Sequence, residues 1–319
     1  MPRLKRVRPY RDAGYRRVRA GSGFRYLDQR GRAVSARERR RIEELVIPPA
    51  WTDVWISADP HGHIQVVGTD DAGRAQYLYH PQWTTHRDRR KYARALVLAA
   101  ALPAVRGQVT RALRAEDLGR DRVLAAAIRM LDEGALRIGS QEYLTANGSR
   151  GLTTLQRRDV RVDAASVSLS FPAKSGKRML LTIEDPDLAA AVEELGVGRA
   201  GAALLAYRQG RRRVALRAKD VNAHLRTLVG GEITAKDFRT LQGTILAAEA
   251  LAVAGESATA RDVRRAERLA VDAAANALGN TSAVARRSYI DPRVFARYRE
   301  GRMLELGGAR EAALLRLLE

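Results

Sequence analysis

Apolar and polar positions follow two different periods along the 319 residues of the chain. Up to about residue 90, short apolar segments at residues 24–27 and 55–67 are separated by Gly and Asp turns, a pattern typical of β-strands. Residues 35–45 are charged and have helical spacing, and the strand region continues through a D-D-A-G turn into residues 76–79. We therefore expect residues 1–90 to form a small, mainly β domain.

Beyond residue 90 the apolar positions recur every three to four residues, which is the period of an amphipathic helix. Pro103 is expected to separate the first two helices because proline removes a helical hydrogen bond. We expect residues 91–319 to form a larger, mainly α domain, so that the fold class is α+β. The sequence predicts helices over residues 91–102, 104–114, 120–132, 187–195, 199–208, 219–228, 235–254 and 259–278.

A β-hairpin is predicted to interrupt the helical part. Residues 166–171 alternate between polar and apolar, residues 172–177 have turn composition, and residues 179–183 supply a return strand. Lys174 lies near the tip of this hairpin. Only six of the 57 basic residues are lysine, and arginine cannot give up its proton near neutral pH while lysine can. Lys174 is therefore a candidate for chemistry that requires a proton to move.

The chain has a large excess of positive charge. Its 57 Lys and Arg residues outnumber 36 Asp and Glu residues, which gives a formal net charge of +21. Residues 1–41 alone hold 15 basic and 3 acidic residues, so we interpret the N-terminus as a basic arm. A polyanion suits such a surface because binding releases counterions, and nucleic acid is the leading candidate. Charge alone would equally suit a DNA-packaging protein without chemistry.

Several classes of protein and site are not supported. No apolar run reaches the roughly 20 residues that span a bilayer, since the best candidate stops at Pro103, and no secretory signal is visible. The chain has no cysteine, which excludes disulfides and cysteine–zinc sites. His61 and His63 lack the partners of a metal site, and the G-x-x-x-x-G-K-[ST] nucleotide motif is missing. We expect an intracellular protein that uses no metal and no nucleotide.

Two segments of the helical part carry a more specific pattern. The L-R-I-G sequence with Arg137 is followed by Tyr143 and by G-L-T-T-L at residues 151–155. Together they resemble the first catalytic-arginine segment of type IB DNA topoisomerases of the compact bacterial and poxvirus kind. The hairpin around Lys174 resembles the catalytic-lysine hairpin of the same family.

Two later segments continue the resemblance in the family's order. The K-D-F-R-T sequence with Lys236 and Arg239 resembles the second-arginine box. The G-N-T and S-Y sequences with Asn280 and Tyr289 resemble the terminal box. In the first domain, the Q-Y-L-Y sequence of residues 76–79 resembles a segment that touches DNA in the poxvirus enzymes.

The resemblance implies a reaction in which Tyr289 attacks a phosphodiester and becomes linked to the 3′ end of the cut strand. Arg137 and Arg239 would neutralise the phosphate oxygens, and Lys174 would protonate the departing 5′ oxygen. Asn280 stands where many members have histidine, so it can donate a hydrogen bond but brings no charge. Rotation of the cut strand and religation would then relax positive and negative supercoils without ATP.

The resemblance also implies an architecture and a partner. A tyrosine-recombinase-like catalytic domain and the β-rich N-terminal domain would form a clamp around duplex DNA. The enzyme is expected to act as a monomer without a cofactor or metal, at the nucleoid in the cytoplasm of a bacterium. The residues expected to touch DNA are Gln76, Tyr77, Tyr79, Tyr143 and Lys236.

A tyrosine recombinase is the nearest alternative, because it uses related Arg, Lys and Tyr chemistry. Recombinases normally have a histidine three residues before the second arginine, where this chain has Lys236. They also carry a helical N-terminal domain, whereas residues 24–80 have a β-rich pattern. Taken singly, Tyr289 has an ordinary interpretation as a packed tyrosine, and Lys174 as a solubilising turn residue. The order of the four boxes favours the topoisomerase.

Overall fold

In the computed structural model, which describes residues 3–319 apart from the side chain of Ser175, the chain separates between Arg90 and Lys91. We call the two parts the N-terminal unit and the C-terminal unit. The N-terminal unit contains an antiparallel sheet with the strand order β2-β1-β3-β4-β5 and one helix, α1. Its elements are β1 (Gly14–Ala20), β2 (Gly23–Leu27), α1 (Ala36–Glu44), β3 (Thr52–Ser57), β4 (Ile64–Thr69) and β5 (Ala75–Tyr79).

The small core of the N-terminal unit forms where α1 packs on the sheet. Ile42 of α1 is buried against Val54, Ile56 and Val66, which lie on β3 and β4. Ser35 begins the helix because its hydroxyl accepts a hydrogen bond from the backbone N–H of Glu38 (3.2 Å). The predicted helix and the predicted strands of this unit are therefore confirmed.

Strand β1 corrects the interpretation of the N-terminus as a basic arm. Gly14–Ala20 pairs with β2 on one side and with β3 on the other, so this basic segment is an internal strand of the sheet. Gly14 permits the pairing, since a Cβ there would lie 2.1 Å from Nε1 of Trp55. The guanidinium of Arg17 donates to the carbonyls of Ile47 and Pro48 at 3.3 and 3.0 Å. The strand was missed because arginine occupies positions where an alternating pattern would place apolar side chains.

Helix α2 (Pro81–Leu113) continues through Pro103, so the predicted break at that residue is wrong. Pro103 removes the hydrogen bond to the carbonyl of residue 99, but Leu102 and Val105 on either side are buried in the core. An 18-residue window of α2 is apolar enough to cross a membrane by length and composition. Because residues of α2 from Ala95 onwards belong to the core of the C-terminal unit, its apolar composition is explained by packing.

The C-terminal unit is mainly helical around a single large core. The predicted helices at residues 120–132, 187–195, 219–228, 235–254 and 259–278 are confirmed. Its further helices are α3 (Arg120–Gly134), α4 (Gln141–Asn147), α5 (Pro186–Gly196), α6 (Ala218–Val229), α7 (Ala235–Ala254), α8 (Ala260–Leu278), α9 (Ser282–Ser288), α10 (Pro292–Arg299) and α11 (Arg310–Leu318).

The predicted hairpin is confirmed and belongs to a three-stranded antiparallel sheet. Its strands are β6 (Val160–Asp163), β7 (Ser166–Pro172) and β8 (Arg178–Glu184), of which β6 was not predicted. The helix expected at residues 199–208 is wrong. These residues end in a strand, β9 (Ala206–Gln209), that pairs with β10 (Arg212–Ala215). Gly198 and Gly201 interrupt the helix pattern, and Leu204 and Leu205 are buried in the bend that precedes the strand.

Candidate active site

Arg239 lies in the interior of α7 and is almost completely buried, with 3% of its surface exposed. Its guanidinium donates through Nη1 to the carbonyl of Ala135 (2.5 Å) and through Nη2 to the carbonyl of Leu278 (2.7 Å). Ala135 ends α3 in the left-handed conformation (φ 45°), and Leu278 is the last residue of α8. Arg239 therefore binds the C-terminal ends of two helices, where unpaired carbonyls are available.

Arg137 lies three residues after Gly134, the last residue of α3. Its Nη2 atom donates to the carbonyl of Gly279 (3.2 Å) and to Oδ1 of Asn280 (2.5 Å). The first arginine and the terminal box are therefore in direct contact. Partial burial lowers the pKa of the Arg137 guanidinium, although the nearby Tyr289 opposes this effect.

The two pieces of the first-arginine segment are held together through their backbones. The N–H of Leu152 donates to the carbonyl of Arg137 (2.8 Å), and the N–H of Thr153 donates to that of Ile138 (2.9 Å). A Cβ on Gly151 would lie 2.5 Å from the Arg137 carbonyl oxygen. The glycine is therefore required by this close approach, which explains why the G-L-T-T-L piece accompanies the arginine.

The side chain of Asn280 is fixed in one orientation by Arg137. A guanidinium can only donate, so the Asn280 atom that faces Arg137 is the amide oxygen. The other end of the amide, Nδ2, is buried and has no hydrogen-bond partner among the described residues. Asn280 therefore presents an unused N–H donor next to the two arginines.

Tyr289 lies at the end of α9 and is half-buried. Its ring packs against Arg239, whose guanidinium carbon is 5.0 Å from the ring centre. Burial alone would raise the pKa of the Tyr289 phenol, but the positive charges of Arg239, Lys236 and Arg137 outweigh burial and lower this pKa. The site therefore makes it easier for Tyr289 to form the phenolate, which is the nucleophilic form of tyrosine.

The backbone of Tyr289 is held by two neighbouring residues of α7. The hydroxyl of Thr244 lies 3.2 Å from the Tyr289 carbonyl oxygen and accepts a hydrogen bond from the N–H of Asp291 (3.1 Å). A Cβ on Gly243 would meet that carbonyl oxygen at 2.8 Å and the Cβ of Tyr289 at 3.1 Å. Sequence reasoning missed both residues. The signal that the sequence offered was Gly243 itself, because a glycine inside a long helix indicates close packing.

The K-D-F-R-T box also contains a structural carboxylate. Asp237 is buried and accepts hydrogen bonds from the Thr234 N–H (2.9 Å) and from Nε of Arg94 (3.1 Å). It thereby caps the start of α7 and binds that start to α2. Lys236, one residue earlier, is exposed on the first turn of α7, where its charge contributes to lowering the pKa of Tyr289.

Lys174 lies in the exposed turn between β7 and β8. The base of this turn is bound to the first-arginine segment, since the Arg150 N–H donates to the Pro172 carbonyl (2.8 Å) and the Ser149 hydroxyl to that of Ala173 (3.2 Å). Within the described residues, no hydrogen bond or ion pair joins the Lys174 side chain to Tyr289 or to either arginine. The structure thus brings Arg137, Arg239, Asn280 and Tyr289 together, and it joins Lys174 to none of them by a described hydrogen bond or ion pair.

The residues expected to touch DNA are found in three places. Tyr143 is on α4 and has 66% of its surface exposed. In the N-terminal unit, the rings of Tyr77 and Tyr79 stack with their centres 5.9 Å apart. Nε2 of Gln76 donates to Asp70 (2.8 Å), at the turn before β5. Of these five residues, Lys236 is the one whose charge contributes to lowering the pKa of Tyr289.

The chain is similar to known proteins in both of its units. The family model described as "Eukaryotic DNA topoisomerase I, catalytic core" matches residues 80–301, and "Bacterial DNA topoisomerase IB, N-terminal domain" matches residues 23–70. The DNA topoisomerase 1B of Acanthamoeba polyphaga mimivirus is 28% identical over 244 residues, which cover 75% of this chain and 72% of that protein. These matches support a topoisomerase rather than a recombinase or a packaging protein. With more than half of its length matched by the catalytic-core model, the chain belongs to the type IB DNA topoisomerases.

Proposed function

We propose that Tyr289 is the nucleophile of this topoisomerase and that Arg137, Arg239 and Asn280 bind the phosphate it attacks. The observation that carries this proposal is the packing of the Tyr289 ring on the Arg239 guanidinium, 5.0 Å from the ring centre. The neighbouring arginine, Arg137, binds the Asn280 amide at 2.5 Å. A nucleophile and donors for the phosphate are thus available in one place.

In the proposed reaction, the Tyr289 oxygen attacks the phosphorus and the bond to the 5′ oxygen breaks. A 3′-phosphotyrosyl linkage forms, and the free 5′ end takes up a proton to become a hydroxyl. The negative charge that develops on the phosphate oxygens needs fixed donors. Nδ2 of Asn280 and Nε of Arg239 are both buried without a hydrogen-bond partner among the described atoms. They are the donors that we assign to this charge.

We assign the proton transfer to Lys174. Its turn is bound at its base to residues 149 and 150, in the segment that carries Arg137. A lysine can release a proton to the departing 5′ oxygen, whereas the surrounding arginines cannot. Because its side chain is exposed, the proposal requires DNA to bring the cut site to the hairpin tip.

The DNA-contacting role of Gln76, Tyr77, Tyr79, Tyr143 and Lys236 belongs to the same proposal. Stacked tyrosines suit nucleotide bases and sugars, and the net charge of +21 suits the duplex backbone. We further propose that the enzyme clamps duplex DNA as a monomer in the bacterial cytoplasm and relaxes supercoils of both signs. Religation needs neither ATP nor metal, because the phosphotyrosyl bond conserves the energy of the broken one.

The test is relaxation of negatively and positively supercoiled plasmid in EDTA without ATP. The wild type should relax both substrates, and Tyr289→Phe should relax neither because it lacks the attacking oxygen. Tyr207→Phe, which removes a phenol from strand β9, serves as the control. No relaxation by the wild type, or relaxation by Tyr289→Phe, would refute the proposal. For Lys174→Ala, a 5′-phosphorothiolate substrate should restore cleavage, since a thiolate leaves without a proton.

A further inference from the structure

Two arginines face each other across the β9–β10 hairpin. Arg208 and Arg213 are directly paired in the antiparallel register, so their side chains lie on the same face. Like charges in this arrangement destabilise a hairpin. The hairpin also carries Arg211 and Arg212 and contains no Asp or Glu. Its strands therefore supply no charge that compensates the pair.

A third arginine, Arg157, lies beside this pair. The N–H of Leu204 donates to the carbonyl of Leu155 (2.9 Å), and the N–H of Arg157 donates to that of Ala202 (3.1 Å), so residues 202–204 run alongside residues 155–157. The Arg213 side chain extends towards the end of this segment, since its Nη2 donates to the carbonyl of Ala206, two residues after Leu204 (3.3 Å). Burial lowers the pKa of the Arg213 guanidinium, and the charges of Arg157 and Arg208 lower this pKa further.

Arg157 is buried without a compensating partner. Only 8% of its surface is exposed, and its Nε atom is enclosed with no acceptor among the described atoms. A Cβ on Gly198 (φ 120°) would lie 1.8 Å from Nη1 of Arg157, so the loop closes directly over the guanidinium. By comparison, the buried Arg122 binds Glu194 through both terminal nitrogens (3.0 and 2.7 Å).

Within residues 3–319, no described carboxylate forms an ion pair with Arg157, Arg208 or Arg213. The uncompensated charge of the buried Arg157 is strongly unfavourable. The exposed guanidinium groups of Arg208 and Arg213 add repulsion. An anion with several oxygens would remove both effects, since each planar guanidinium can donate two parallel hydrogen bonds to it. A phosphate group meets this requirement best because it offers oxygens in several directions.

We propose that Arg157, Arg208 and Arg213 form a phosphate-binding site that is separate from the cleavage site. It uses none of Tyr289, Arg137, Arg239 or Asn280, and so does not depend on the proposed catalytic roles. The phosphate group belongs either to the backbone of bound DNA or to a free polyphosphate compound. The two measurements described next distinguish these sources.

The first measurement is the thermal unfolding of the full chain in sodium tripolyphosphate and in sodium chloride of matched ionic strength. The test variant is Arg213→Gln. The control is Arg211→Gln, which removes the same charge from the same hairpin at its tip. Tripolyphosphate should raise the Tm of the wild type and of the control by several degrees, because a ligand stabilises the state it binds. At least half of this rise should be lost in Arg213→Gln.

The second measurement is the affinity for a short duplex as a function of salt, with Tyr289→Phe in all proteins to prevent cleavage. If the site binds a backbone phosphate, Arg213→Gln should reduce the slope of log K against log salt by about one relative to Arg211→Gln. If the two variants differ only in the tripolyphosphate response, the ligand is a free phosphate compound. If they behave alike in both measurements, the proposal is wrong.

Arg157→Met supplies an independent check, because it removes the buried charge while keeping much of the side-chain volume. It should lose the tripolyphosphate response and keep a Tm without phosphate at or above that of the wild type. A Tm far below the wild type without phosphate would contradict the claim that this charge is uncompensated.

Discussion

The amide oxygen of Asn280 accepts a hydrogen bond from Nη2 of Arg137 at 2.5 Å, and this contact leaves the amide N–H₂ as an unused donor. The position is one where many type IB topoisomerases have histidine. In this chain, the neutral side chain of Asn280, oriented by Arg137, would supply the hydrogen-bond donor to the phosphate. The proposed roles of Arg137 and Asn280 therefore both depend on this contact.

Changing Asn280 should therefore reduce cleavage according to the group that replaces the amide. Asn280→Ala removes the donor, and we expect single-turnover cleavage to slow by about ten- to a hundredfold, as for loss of one donor to a developing oxyanion. Asn280→Asp replaces the donor with a negative charge near the phosphate and should slow cleavage further. Single-turnover cleavage of a duplex whose cut end dissociates measures both rates. Equal cleavage by Asn280→Asp and the wild type would contradict the assignment.

Removing the charge of Lys236 should move the pH dependence of cleavage. Lys236 is among the positive charges that lower the pKa of Tyr289, so Lys236→Gln should raise this pKa. The alkaline rise in the single-turnover cleavage rate should then shift to higher pH, since phenolate forms later. Lys219→Gln removes the charge of another exposed lysine, on α6, and should leave the profile in place. A shift to lower pH in Lys236→Gln would contradict the electrostatic account.

Gly243→Ala should destabilise the protein and slow cleavage. The new Cβ would lie 2.8 Å from the Tyr289 carbonyl oxygen, and the overlap should cost about 1–3 kcal/mol of unfolding free energy. Gly107→Ala in α2 is the matched control, since the new Cβ would lie 3.7 Å from Nη1 of the flexible Arg111 side chain. It should raise stability by about 0.5–1 kcal/mol. Denaturant unfolding measures the change in unfolding free energy of each variant. A change of the same sign in Gly243→Ala and Gly107→Ala would contradict the packing argument.

Thr244→Val should lower stability, because it removes the hydroxyl that accepts from the buried N–H of Asp291 (3.1 Å). An unsatisfied buried N–H costs about 1–3 kcal/mol. Thr244→Ser keeps the hydroxyl and should restore the cleavage rate, even though it loses a methyl group. The measurements are denaturant unfolding and single-turnover cleavage. Equal rates for the valine and serine variants would exclude a positioning role for the hydroxyl.

The sequence predicted elements well where local signals agreed. Helix α8 follows Thr259, whose hydroxyl accepts from the N–H of Asp262 (3.2 Å), and it ends before Gly279. The hairpin around Lys174 had strict alternation and turn residues. Strand β1 was missed because Arg17 occupies a half-buried position and Val18 an exposed one, so the strand does not alternate as expected. The segment leading into β9 was assigned to a helix because alanine and leucine suit both environments.

The candidate site was predictable only in part. The boxes identified Arg137, Arg239, Asn280 and Tyr289, which the fold brings together from distant positions in the chain. The supporting residues Gly243, Thr244 and Arg94 act through contacts with segments far away in sequence, so local patterns do not reveal them. Asp237 was within a recognised box, but its role as a buried cap depends on Thr234 and Arg94.

The carbonyl groups at the end of α8 affect how strongly Arg137 and Arg239 can bind an arriving phosphate. Arg239 and Arg137 bind the carbonyls of Leu278 and Gly279 and form no ion pair with a described carboxylate. The negative end of a helix dipole amounts to roughly half a charge, so an arriving phosphate competes with partial charges alone. Two arginines can thus be kept in place in the empty enzyme while most of their attraction for phosphate is retained.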